Sequence, residues 1–80
     1  MNSPSLKSRL EDAIHEMVDK GILWPEAAAQ FEKLFILRVL TTHQGNLSRA
    51  AKTMGVHRNT LSKKVREHRI DRKKLSRRKD

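Results

Sequence analysis

The chain has 80 residues, no cysteine, 36% hydrophobic residues and a net charge of +9. A single domain of this length buries only about 60% of its unfolded surface, and no disulfide or thiolate metal site can add to its stability, so helical dimerisation is the expected remedy. No apolar run approaches the ~18–20 residues of a membrane span and the N-terminus has no secretory pattern, which points to a soluble cytoplasmic protein.

Ser3-Pro4 is a good helix opening, because serine caps and proline suits the first helical position. Leu6, Leu10, Ile14, Met17 and Val18 then recur at helical spacing and form one apolar stripe. Gly21 ends this helix, Ile22-Leu23-Trp24 is a short apolar connector, and Pro25 starts a second helix that should run to His43. Trp24 is expected to pack at the corner between the two helices. The second helix holds Ala27, Ala28, Phe31, Leu34, Phe35, Ile36, Leu37, Val39 and Leu40, too many apolar residues for one stripe. A helix apolar over so much of its girth must be covered on several sides. The first two helices are therefore expected to form a hairpin that pairs with a second copy in a homodimer core.

Gln44-Gly45 breaks the second helix, and Asn46 is suited to cap a third over about Leu47 to Met54. Gly55 makes a tight turn. A fourth helix should span Arg58 to His68, with His57 as its cap or first residue. Leu47, Ala50, Ala51, Val56, Leu61 and Val65 are the expected core of this pair, Val56 filling the angle between the helices. The pattern is that of a helix-turn-helix, whose second helix enters a DNA major groove. The predicted fold is thus all-α with four helices, an N-terminal helical hairpin forming a dimer core followed by a C-terminal helix-turn-helix. Residues 1–71 make one domain, with dimerisation helices over 4–43 and the helix-turn-helix over 46–70. Residues 72–80, with no apolar period, are expected to be a disordered basic tail.

Charge follows the same division. Residues 1–46 carry five Lys/Arg against six Asp/Glu, whereas residues 57–80 carry eleven against three. An excess gathered beside the proposed recognition helix is the footprint expected of a polyanion-binding protein.

Gly45-Asn46, Arg49-Ala50-Ala51, Met54-Gly55-Val56, Arg58, Thr60-Leu61 and Lys63-Lys64 together resemble the bacterial Fis family (factor for inversion stimulation), and the same unit closes many NtrC-like activators. Phe31 to Leu40 is similar to the helix that leads into the motif. The resemblance covers residues 26–70 well and 5–25 more loosely, and the segment from 71 lies outside it. It implies a homodimer whose two recognition helices lie closer than one turn of DNA, so that binding bends the duplex and groove width carries much of the selection. It also implies a transcriptional regulator or nucleoid-associated protein. The family's long N-terminal arm, used against a DNA invertase, has no counterpart before the first predicted helix. His57, Asn59 and Ser62 stand where the namesake has asparagine, glycine and arginine, and Arg69 stands where a C-terminal glycine is usual.

Ten residues are candidates for double-stranded DNA contact. Arg58, at the start of the recognition helix, can bind guanine O6 and N7 with two bonds. His57 and Asn59 flank it, and Thr60 suits a phosphate or a thymine methyl. Ser62 and Lys63 share the outward face with Arg58 and Asn59. Lys64 and Arg66 should reach flanking backbone. Asn46 and Ser48, at the start of the third helix, offer a phosphate site made of backbone N–H groups and helix dipole, or ordinary capping.

Other chemistries have little support. His15-Glu16 begins a zinc-helix pattern, but Asp19 stands where its second histidine belongs. There is no Gly-rich phosphate loop and no nucleophile–base pairing, so neither catalysis, a cofactor nor a small-molecule ligand is expected. The three aromatic residues lie outside the basic third, which argues against base stacking on single strands. The competing reading is a helical protein-interaction module whose basic tail binds an acidic partner or RNA.

Overall fold

The computed structural model describes residues 4–75. Over these residues the chain is all-helical: α1 (Leu6–Asp19), α2 (Trp24–Thr42), α3 (Leu47–Met54), α4 (Arg58–Glu67) and α5 (Arg72–Leu75). Five helices thus replace the four expected, the extra one being a single turn in the predicted tail. The chain divides between Gln30 and Phe31 into two compact units.

In the first unit, Ser5 caps α1 by accepting a 3.0 Å hydrogen bond from the Ser8 N–H. The cap is therefore two residues later than Ser3, which lies outside the described residues. Lys7–Glu11 and Glu16–Lys20 pair along the solvent side at i,i+4 spacing. His15 and Asp19 do share a helix face, at 3.2 Å, and among the described residues no cluster is able to hold a metal ion. No residue of α1 is buried. Its predicted apolar stripe exists, but Leu6, Leu10, Ile14 and Val18 are all exposed. Trp24 is the first residue of α2 and is 78% exposed, so the corner packing expected of it is absent within one chain.

The second unit contains the core. Ile36, Val39 and Leu40 of α2, Leu47, Ala50 and Ala51 of α3, and Leu61 and Val65 of α4 form one buried cluster. Met54, Ile70 and Leu75 pack partly against it. The surplus of apolar residues on α2 is resolved here. Ile36, Val39 and Leu40 face this cluster, whereas Phe31, Leu34 and Phe35 are exposed. The Phe31 and Phe35 rings lie 5.8 Å apart, a tilted pair one turn apart on that outer face.

All four long helices end alike. In each, two backbone N–H groups beyond the last turn donate back into it: Gly21 and Ile22 to Val18 and Met17, Gln44 and Gly45 to Thr41 and Leu40, Gly55 and Val56 to Lys52 and Ala51, Arg69 and Ile70 to Arg66 and Val65. This closure needs a left-handed residue at the turn. Gly21 and Gly55 supply it without strain, and a Cβ at Gly55 would meet nothing within 4 Å, so glycine serves conformation there and not space. Gln44 and Arg69 supply it as non-glycine residues, each at φ 54°. Each stores about 1 kcal/mol of backbone strain.

Candidate nucleic-acid interface

α3 and α4 carry the helix-turn-helix, and local chemistry explains how they sit. The Asn46 side chain accepts a 3.0 Å bond from the Arg49 N–H and starts α3. Gly55 stops it one residue after Met54, and the chain re-enters a helix at Arg58. The fully buried Ala50 and nearly buried Ala51 let the two helices approach closely over Leu61 and Val65. Val56 departs from its predicted place. It is 37% exposed, and its contribution to the turn is its N–H bond to Ala51, not its side chain.

The predicted site residues separate by environment. His57, Arg58, Asn59, Thr60, Lys63 and Arg66 are all exposed. His57 occupies the cap position of α4, but its side chain makes no cap hydrogen bond. Ser62 is half-buried and accepts a 3.2 Å bond from Arg66, one turn further on, so these two share a surface. Asn46 and Ser48 are exposed at the start of α3, with the Asn46 side chain engaged as the cap. Lys64 is different. Its Nζ donates to Glu32 Oε2 of α2 at 2.7 Å, and the side chain is turned toward α2 and away from the exposed residues of α4.

Glu32 is the group that reading along the sequence missed. Its other oxygen accepts a 2.8 Å bond from His68 Nε2, so one carboxylate oxygen is held by α4 and the other by the residue that caps its end. The Lys64 hydrogen bond and then that of His68 hold the Glu32 carboxyl below its ordinary range, and the same bond to Glu32 raises the Lys64 ammonium above its own. Only the one-turn spacing of Lys64 and His68 hinted at this, because it places both on one flank of α4.

A second missed tie lies at the other end. The Asp71 carboxylate accepts from the Lys73 N–H and opens α5, Arg72 donates to the Gly45 carbonyl at 2.9 Å, and Leu75 packs on the core. Residues 72–75 are therefore ordered where a disordered tail is expected, because a capping acid, a carbonyl left at a helix end and one leucine coincide there. The expectation for 76–80 lies outside the described residues. His43 Nε2 and Thr53 Oγ1 share a 2.8 Å bond that links α3 to the end of α2.

Among the described residues no helix is long and apolar enough to cross a membrane. No curated protein and no solved structure matches this chain. A family model described as bacterial regulatory protein, Fis family, matches residues 27–68, more than half of the chain, covering α3, α4 and most of α2. The arrangement of α3 and α4, the basic outer surface of α4 and this match agree: the chain belongs to the Fis family of bacterial regulatory proteins, DNA-binding proteins built on a helix-turn-helix.

Proposed function

We propose that the chain acts as a homodimer that lays α4 in the major groove of duplex DNA and bends the duplex, as a transcriptional regulator or nucleoid-associated protein of the cytoplasm. Residues 4–43 serve dimerisation, residues 46–70 bind DNA, and residues 72–80 add general attraction. The single observation that carries the dimer is the exposed apolar face of Phe31, Leu34 and Phe35 on α2, which one chain leaves in water although the core of its helix-turn-helix is closed; Leu10 and Ile14 of α1 are exposed as well. Two copies covering that face would space two α4 helices on one duplex.

Arg58 is the principal base reader in this proposal, with His57 and Asn59 setting preference beside it. Thr60, Ser62, Lys63 and Arg66 meet phosphates or base edges along α4, and Asn46 and Ser48 meet a phosphate through the start of α3. Selection rests largely on groove width and bendability.

The test is duplex binding titrated with salt, together with a circularly permuted bending assay. A steep slope of log K against log[salt] and position-dependent mobility are expected, and Arg58→Ala and Lys63→Ala should both weaken binding. Unchanged duplex affinity in both variants would instead favour a helical protein-interaction module whose basic residues meet an acidic partner or RNA.

A further inference from the structure

We infer that Glu32 is a positioning residue that withholds Lys64 from DNA, so that this lysine braces α4 against α2 and contributes no phosphate contact. The inference rests on the proposal above that α4 is the DNA-binding helix, and it adds a determinant of general affinity and its salt dependence.

The geometry is that of a closed clasp. One carboxylate on α2 accepts from Lys64 at 2.7 Å and from His68 at 2.8 Å, one bond on each oxygen. Lys64 of α4 and His68, the residue that caps its end, stand one turn apart, so the two bonds fix both the rotation of that helix and its position along α2. His68 is only 13% exposed, which limits how far water competes for its half of the clasp. The directions in which Glu32 and Lys64 titrate agree with a charge pair formed in the folded state, and Glu67 adds a smaller attraction on the same lysine.

A phosphate that recruited Lys64 would have to displace Glu32. It would then leave the Glu32 carboxylate with only His68 as a partner. Over residues 31–75 the acids are Glu32, Glu67 and Asp71, so Glu32 is a large share of the negative charge near this basic surface. Phosphate contacts raise affinity for every sequence and discriminate none. Withholding one such contact lowers specific and non-specific binding by the same factor and leaves base and shape readout, and the ratio between the two affinities, as they are.

The test measures salt dependence of non-specific duplex binding by the full chain and its Lys63→Ala, Lys64→Ala and Glu32→Gln variants, with thermal melting of each as a check on folding. Each neutralised phosphate contributes a slope of about 0.9 in log K against log[salt]. Lys63→Ala should flatten the slope by about that amount, and Lys64→Ala should leave it as it is. Glu32→Gln should free the lysine, tighten non-specific binding and steepen the slope by about 0.9, and the Glu32→Gln/Lys64→Ala pair should return it to the starting value. A slope flattened equally by Lys63→Ala and Lys64→Ala overturns the inference while leaving α4 as the DNA-binding helix. A folded Glu32→Gln variant with an unchanged slope overturns it too. If Glu32→Gln does not fold, the contrast between Lys63→Ala and Lys64→Ala decides alone. A slope unmoved by either lysine variant removes α4 from the DNA and the inference with it.

Discussion

Residues 31–75 and residues 4–30 solve the problem of small size in opposite ways. The later region buries eight apolar residues among three helices and ties its ends together, through Glu32 to α4 and Arg72 to Gly45. The earlier region has good helix chemistry, with a serine cap, i,i+4 ion pairs and a glycine stop, yet α1 buries nothing. Local signals alone therefore make a helix but not a core. A core requires partners at a distance in sequence, and in the earlier region those partners are expected from a second chain.

The largest effect should separate the two regions by stability. Leu61 is fully buried in the cluster, so Leu61→Ala should destabilise the helix-turn-helix by about 2–5 kcal/mol in chemical denaturation. An effect well below 1 kcal/mol would mean that this core is not closed within one chain. The next experiment targets the other region. Leu10 is 47% exposed, and Leu10→Glu combined with Ile14→Glu should lower the solution mass from twice the 9.3 kDa of one chain to a single copy. The DNA-binding unit should stay helical in that variant, and an unchanged mass would show that α1 is not part of the dimer.

Smaller effects probe how α3 and α4 begin and end. Asn46→Ala removes the α3 cap and should cost about 1 kcal/mol. Arg69→Gly relieves a left-handed arginine at φ 54° and should stabilise by about 0.5 kcal/mol, the relief being partly offset by the extra freedom glycine has when unfolded. A loss of stability in Arg69→Gly would show that the arginine side chain, not its backbone, matters at that turn.

The smallest effect is one of pH. Glu32 titrates below its ordinary value of 4.5, chiefly because Lys64 and then His68 hydrogen-bond its ionised form. A lowered carboxyl contributes stability that is fully present above 4.5 and is lost as pH falls through the lower, folded value. Both the Lys64 and Glu32 side chains are 36% exposed, so solvent screens the pair and the change is modest. Glu32→Gln has no carboxyl to titrate, and its denaturation midpoint should fall less than that of the parent chain over the same acid range. Parallel curves for the two would show that the clasp does not contribute to stability.

The helix-turn-helix was legible in the chain because its determinants are local. Asn46 and Arg49 are three residues apart, Gly55 and Val56 close on residues three and five back, and Leu61 and Val65 repeat at one turn. The same locality explains why α3 spans Leu47–Met54, as its spacing predicts, while α4 ends at Glu67, one residue short of the predicted end at His68. It also explains the failure at Val56. Sequence position puts that side chain at the corner, but the backbone bond to Ala51 completes the turn without burying it.

Amino-acid order by itself determined the helical class, the Asn46 cap and the Gly21 and Gly55 stops, the basic character of the last third and the family of this protein. The tertiary structure decided which of the many apolar residues of α2 face the core, that Lys64 is held by Glu32, and that a single turn at Arg72–Leu75 returns to Gly45. These contacts join residues 32 and 27 positions apart. Helical periodicity places a side chain on one face of its own helix, but it carries no information about which distant residue that face will meet. For Lys64 that distinction changes the reading of its role, because the same lysine on the same helix is a phosphate contact or an internal brace according to one carboxylate on another element.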